Sequence, residues 1–199
     1  MKNYKQTTKF SGLASALMII INHFNSKFSV DRKNEFRLWR ESVLLPSRGS
    51  CIFRLGIIAN RLKVPVKIIV EDPKYKLPQV YKFRIFSKKE IYDAKFMSDI
   101  NLEESKNKSI VDIRNFTLDE VKEALKNHKL VLLRVNMGPL IHVRTVPDYI
   151  LLYGYGNNLY LWNNTLKGET MRINEKLMKE CFMQVKTKCK RDNRVIIFG

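Results

Sequence analysis

The chain has 199 residues, of which 45% are hydrophobic, and carries 37 lysines and arginines against 19 aspartates and glutamates, for a net charge of +18. That is enough apolar chain for one folded domain with a sizeable core, and it excludes a disordered or low-complexity polypeptide. The longest apolar run, Leu13 to Ile21, is too short to span a bilayer.

Residues 1–9 read as an extended polar lead. Ser11 stands where it can cap a helix running to about His23, whose interior is apolar nearly all round; such a helix packs on several sides. Ser29 is expected to cap a second helix, with Phe36, Trp39 and Val43 on one stripe and Arg32, Lys33, Arg37 and Arg40 outside it. Leu44 to Ser50, broken by Pro46 and Gly49, reads as a loop, and Ile52, Leu55, Ile58, Ala59 and Leu62 mark a third helix. The period then changes. Val64 to Val70 is a short β-rich run, Lys74 to Gln79 a turn region, and Val80 to Phe86 a further strand. The charged stretch Lys88 to Lys108 reads as a helix followed by an exposed loop, and Thr117 with Glu120 forms a capping box for the next helix.

From there strands dominate: Leu130 to Val135, Tyr149 to Tyr155, Leu159 to Trp162 and Glu169 to Ile173, with Gly156-Asn157-Asn158 as a tight hairpin turn. Asn174 caps a last helix, and a strand from Arg194 to Phe198 follows it. Helices first and a mainly antiparallel sheet later give an α+β order, read as a single domain over residues 1–199.

Cys51, Cys181 and Cys189 have no metal-type pairing with histidine, and no export leader is read, so a reducing cytoplasm and no metal or cofactor are expected. Cys51 reads as a small packed residue at a helix start. Trp39 and Trp162 read as core or cleft-wall aromatics, and His23 and His128 lie near helix ends, where positive charge is favoured. Lys186, Lys188, Lys190, Arg191 and Arg194 form the densest basic cluster. It is taken as a solvated loop before the last strand, an anion contact being the other reading. The net charge would suit a nucleic acid, yet the basic residues are spread along the chain and no nucleic-acid motif accompanies them.

Four stretches carry a resemblance: QTTKFSGLASALM from Gln6, FRLWRES from Phe36, RGSCIFRLGIIANRLKVPVKIIV from Arg48 and PDYILLYGYGNNLYLWNN from Pro147. In order and spacing they resemble the papain-like, bacteriocin-processing cysteine peptidases (cysteine peptidase family 39), closest to a branch of standalone peptidase-like proteins. The resemblance implies a papain-like fold, with N-terminal helices packed on the sheet. It implies that Gln6 is the oxyanion-type glutamine. Alignment on the family's glycine puts Ser11 at the nucleophile, whereas keeping the family's spacing puts Gly12 there; Ser11 is the preferred choice. The family histidine falls on Asp148 and the family aspartate on Asn163. Neither a thiol nor an imidazole stands at the matching places.

The resemblance thus implies the fold and argues against the family's reaction. The leading expectation is a catalytically inactive homologue that binds a peptide or protein segment in the former cleft, lined by Gln6, Ser11, Asp148, Tyr149, Trp162 and Asn163. One alternative is a basic nucleic-acid-binding module on the same scaffold. Another is a hydrolase with a rebuilt Ser11–His142–Asp148 site, which requires a bend at Pro147 to return His142 toward Ser11.

Overall fold

A computed structural model describes residues 1–76 and 86–199. The strand expected over Val80 to Phe86 falls almost wholly outside the described residues.

The first helix, α1 (Gly12–Phe24), is the centre of one core. Leu17, Met18, Ile19 and Ile20 have no exposed surface, each contributing about 1.5–3 kcal/mol by leaving water. Against it lie α2 (Arg32–Ser42) and α3 (Ile52–Arg61). Asp31, not Ser29, caps α2: its Oδ1 accepts the Asn34 N–H at 2.8 Å, while the Ser29 hydroxyl donates to Asp31 Oδ2 at 2.6 Å. A carboxylate is the stronger acceptor for an N-terminal amide. Val43 lies beyond the helix. It opens β1 (Val43–Leu44), which pairs antiparallel with β2 (Gly49–Ser50) and turns the expected loop into a small clasp.

After β3 (Val66–Val70), the charged stretch is one continuous helix, α4 (Lys88–Asn107), opened by a Ser87–Glu90 capping box. Its buried side is polar and small: Ala94, Ser98, Asn101 and Ser105 with Leu102. Then come β4 (Val111–Ile113) and α5 (Leu118–Lys126), the latter opened by the Thr117–Glu120 box. They are followed by β5 (Leu130–Asn136), the single turn α6 (Gly138–Ile141), β6 (Pro147–Gly156), β7 (Leu159–Asn164) and β8 (Glu169–Asn174). The helix α7 (Glu175–Thr187), capped by Asn174, and β9 (Arg194–Phe198) complete the fold.

Seven strands form one sheet in the order β4-β3-β9-β5-β6-β7-β8, antiparallel except for β3 with β4. The domain is mixed helix and sheet, with helices on both faces of the sheet. Leu130, Leu132, Leu151 and Ile196 pack toward α1 and α3. Val131, Leu133, Ile150, Leu152 and Val195 pack toward α5 and α7. The run LVLLRV in β5 has almost no polar alternation, which is the pattern of a strand covered on both faces.

Candidate functional site

The N-terminal lead runs between α2 and the β7–β8 edge and delivers the chain to α1. Gln6 is fixed on the sheet side: its backbone N–H donates to the Thr165 carbonyl at 2.8 Å, and its Oε1 accepts the Thr165 hydroxyl at 2.9 Å. Its Nε2 donates to the Thr8 carbonyl at 2.8 Å. The side-chain amide therefore lies against the first residue of α1, where a Cβ on Gly12 would come within 3.0 Å of Gln6 Oε1. Only a residue without a side chain allows that approach unless Gln6 yields.

Around this point lies a cavity of about 20 Å³, lined by Gln6, Gly12, Asp148, Tyr149, Trp162 and Asn163 among others. Its volume is that of about one water molecule. Asp148 and Asn163 reach it because β6 pairs with β7 in a register that sets Leu151 opposite Asn163, with Asp148 near the start of β6. Asn163 is buried; its Nδ2 donates to the Lys2 carbonyl at 3.0 Å and to Asn3 Oδ1 at 3.1 Å. Its Oδ1 is buried without a hydrogen-bond partner among the described residues.

Asp148 accepts the Tyr149 N–H at 2.8 Å and forms no ion pair among the described residues. Desolvation at the cleft wall pushes its carboxyl above the ordinary range, more than the Tyr149 N–H and the charge of Arg134 pull it down. The residue keeps a water-exposed edge, which limits that rise.

Ser11 is not part of this cavity. It is fully buried on the other side of the lead, and its hydroxyl donates to Glu35 of α2 instead of capping α1. Glu35, itself fully buried, also accepts from Tyr4 Oη at 2.7 Å, the Thr7 N–H and hydroxyl at 2.9 Å each, and Ser15 Oγ at 3.1 Å. Burial raises the Glu35 carboxyl, but the bonds from Ser11, Thr7 and Tyr4 outweigh it and hold the group below the usual carboxylate range.

His142 follows α6 with a left-handed backbone (φ 53°) and is exposed. It forms no hydrogen bond with Ser11 or Asp148, so the Ser11–His142–Asp148 grouping does not assemble. Cys51 is buried at the start of α3, as expected, where desolvation pushes its thiol up. Arg191 and Arg194 depart from the solvated-loop reading: Arg194 is buried, and both face a second cavity.

A family model described as Peptidase_C39 like family matches residues 1–183 of the 199. The chain belongs to the Peptidase_C39 like family. No curated protein matches it. In this Peptidase_C39-like chain the small cavity is lined by one carboxyl, Asp148, and three carboxamides, Gln6, Asn163 and Asn164, with no thiol or imidazole among the described lining residues. Such groups can donate to and accept from the backbone of an extended segment. Among the described residues, no cluster of His, Cys, Asp or Glu could hold a metal, and no helix is long and apolar enough to cross a membrane.

Proposed function

We propose that the chain is a catalytically inactive homologue of a papain-like cysteine peptidase that holds a peptide or protein segment along the former active-site cleft. The observation that carries this is the convergence of Gln6, Gly12, Asp148 and Asn163 on one small cavity at the start of α1. These are the family's oxyanion, nucleophile, histidine and aspartate positions under the spacing-preserving alignment. Gly12, rather than Ser11, then occupies the nucleophile position, and a hydrogen atom stands where the reaction needs sulfur. Ser11 serves the scaffold through Glu35. Asp148 accepts the Tyr149 N–H and has no hydroxyl or thiol bonded to it among the described residues.

The test is to incubate the purified protein with a broad peptide library and read both cleavage and retention by mass spectrometry. Retention without cleavage is expected, with retention reduced when Gly12→Phe fills the cleft. Turnover that disappears in Ser11→Ala would overturn the reading.

A second reading, a nucleic-acid-binding module on the same scaffold, draws on α2. There Lys33, Arg37 and Arg40 flank Phe36 and Trp39 around a surface groove, with Arg32 lying 5.5 Å from the Phe36 ring centre. Cations around aromatic rings suit a single strand. Retention on heparin with a steep salt dependence would favour it over the peptide reading.

A further inference from the structure

Donors and acceptors are unevenly matched around the Gly12 cavity. The carboxamide and threonine donors on its wall are engaged within the fold. Asn163 Nδ2 gives its two hydrogens to the Lys2 carbonyl and Asn3 Oδ1, at 3.0 and 3.1 Å. The Thr165 hydroxyl donates to Gln6 Oε1 at 2.9 Å, Gln6 Nε2 to the Thr8 carbonyl at 2.8 Å, and Asn164 Nδ2 to Met171 Sδ at 3.1 Å.

Two acceptors on the same wall lack such partners. Asn163 is 1% exposed, and with its Nδ2 held by two acceptors its Oδ1 is left buried without a hydrogen-bond partner among the described residues. Asp148 accepts the Tyr149 N–H at 2.8 Å and forms no ion pair among the described residues. A carboxylate has room for about four hydrogen bonds. The Tyr149 hydroxyl, also buried and unpartnered among the described residues, can accept as well as donate.

The charge of Asp148 is likewise unanswered. Desolvation pushes its carboxyl up, and the more distant charge of Arg134 opposes this only in part. Arg134 serves a different carboxylate: its Nη1 donates to Asp192 Oδ1 at 3.1 Å. A cation placed beside Asp148 would offset the desolvation.

Size narrows the choice of cation. The cavity, about 20 Å³, admits one group the size of a water molecule. An ammonium group is of that size and has three donors and no acceptor. A guanidinium is a larger planar fork. The ammonium at the start of a chain sits on a branched carbon that brings a side chain and a carbonyl with it. A lysine ammonium ends an unbranched stem, which can lie along apolar surface. Met137, Leu151 and Trp162 supply such a surface here, and an indole ring favours a neighbouring ammonium.

We propose that this cavity takes the ammonium group of a lysine side chain belonging to the segment held in the cleft. Asp148 is the counter-charge and Asn163 Oδ1 the second acceptor. The assignment rests on the peptide-holding reading and adds to it the residue that the cleft selects.

The test begins with the peptides retained from the library, which are expected to be enriched in lysine. Retained peptides are then remade with the lysine changed to norleucine or to arginine, or with the N-terminus acetylated, and titrated calorimetrically. Norleucine is expected to weaken binding at least tenfold and arginine at least fivefold, while acetylation changes it less than twofold. In Asp148→Asn, shown to be folded by circular dichroism, the lysine preference should shrink to about twofold. The peptide substitutions decide the matter even if that variant does not fold. Equal affinity for the lysine and norleucine forms would overturn the proposal and leave the cleft reading standing, with a water molecule in the cavity. Equal affinity for lysine and arginine would overturn it in favour of a general attraction to positive charge. A loss on acetylation alone would move the assignment to the start of the bound chain and overturn the lysine. Absence of binding by any peptide would remove the cleft reading and this assignment with it.

Discussion

The Ser11 hydroxyl donates to the carboxylate of Glu35, 24 residues further along the chain, so the serine beside the start of α1 is fastened to α2 and turned from the cleft. The next residue, Gly12, faces the cavity instead. One position along the chain separates a residue bonded to α2 from one that lines the cavity.

Glu35 is the acceptor for five donors on the N-terminal lead and α1. Glu35→Ala would leave them buried around a gap and is expected to cost about 3 kcal/mol in denaturant unfolding. Because the folded carboxyl is held low, its stabilisation is complete above the ordinary carboxylate range and is lost as pH falls through the depressed folded value. Acid titrations followed by circular dichroism should therefore show a shallower loss of stability below about pH 4.3 in Glu35→Gln than in the parent.

Ser11→Ala removes one hydrogen bond to a buried carboxylate and is expected to cost about 1–2 kcal/mol. The parent protein should show no fluorophosphonate labelling at Ser11 by mass spectrometry. Labelling there would revive a serine hydrolase.

Asp148 behaves oppositely to Glu35. Its carboxyl is pushed up, so the protonated form is favoured in the fold and stability declines as pH rises from the ordinary carboxylate range through the raised folded value. Asp148→Asn should raise the melting temperature at pH 7 by a small margin that disappears at pH 3. A loss of stability at pH 7 would show that the charge is favourable where it stands.

If Gly12 and Asp148 mark the nucleophile and histidine places, Gly12→Cys with Asp148→His should place a thiol beside an imidazole. Gln6 Oε1 must give way by a few tenths of an ångström, which the end of a flexible side chain can do. Iodoacetamide should alkylate the new thiol at pH 6 at least tenfold faster than in Gly12→Cys alone, because the imidazolium lowers the thiol pKa. Equal rates would mean that the two side chains do not meet.

Asn163 holds the Lys2 carbonyl and Asn3. Asn163→Ala should release the start of the lead and speed trypsin cleavage after Lys2 or Lys5 several-fold, read by mass spectrometry, with little change in the far-ultraviolet spectrum.

Much of this was legible in the sequence wherever the determining contacts are local. Thr117 with Glu120, Asn174 before α7, and Asn157-Asn158 in the β6–β7 turn all act within a few residues. Ser29 and Asp31 are both competent caps two residues apart, and only the hydrogen bond from Ser29 to Asp31 separates them. The full length of α4 was hidden because its buried side carries Ser98, Asn101 and Ser105; the Ser105 hydroxyl donates to its own helix at the Asn101 carbonyl, 2.8 Å away. Strand β4 is three residues long and exists through its parallel pairing with β3. The Glu35 cluster has no local signature in the sequence because its donors are spread from Tyr4 to Ser15, and none is adjacent to Glu35 in sequence. The same distance effect governs which of Ser11 and Gly12 turns toward the cavity, because the Ser11 partner, Glu35, lies on α2.

The lead that carries Gln6 is stitched to residues far downstream: Lys2 to Asn163, 161 positions away, and Gln6 to Thr165, 159 away. It also rests on Gly168, where φ is +75° and an added Cβ would meet Lys5 at 2.9 Å. In synthesis these residues precede their seat, which does not exist until position 168 has been made. The nose of α1 is therefore left uncovered until the β7–β8 turn has been made, and seating the lead closes a loop of about 160 residues, a slow, entropy-limited contact.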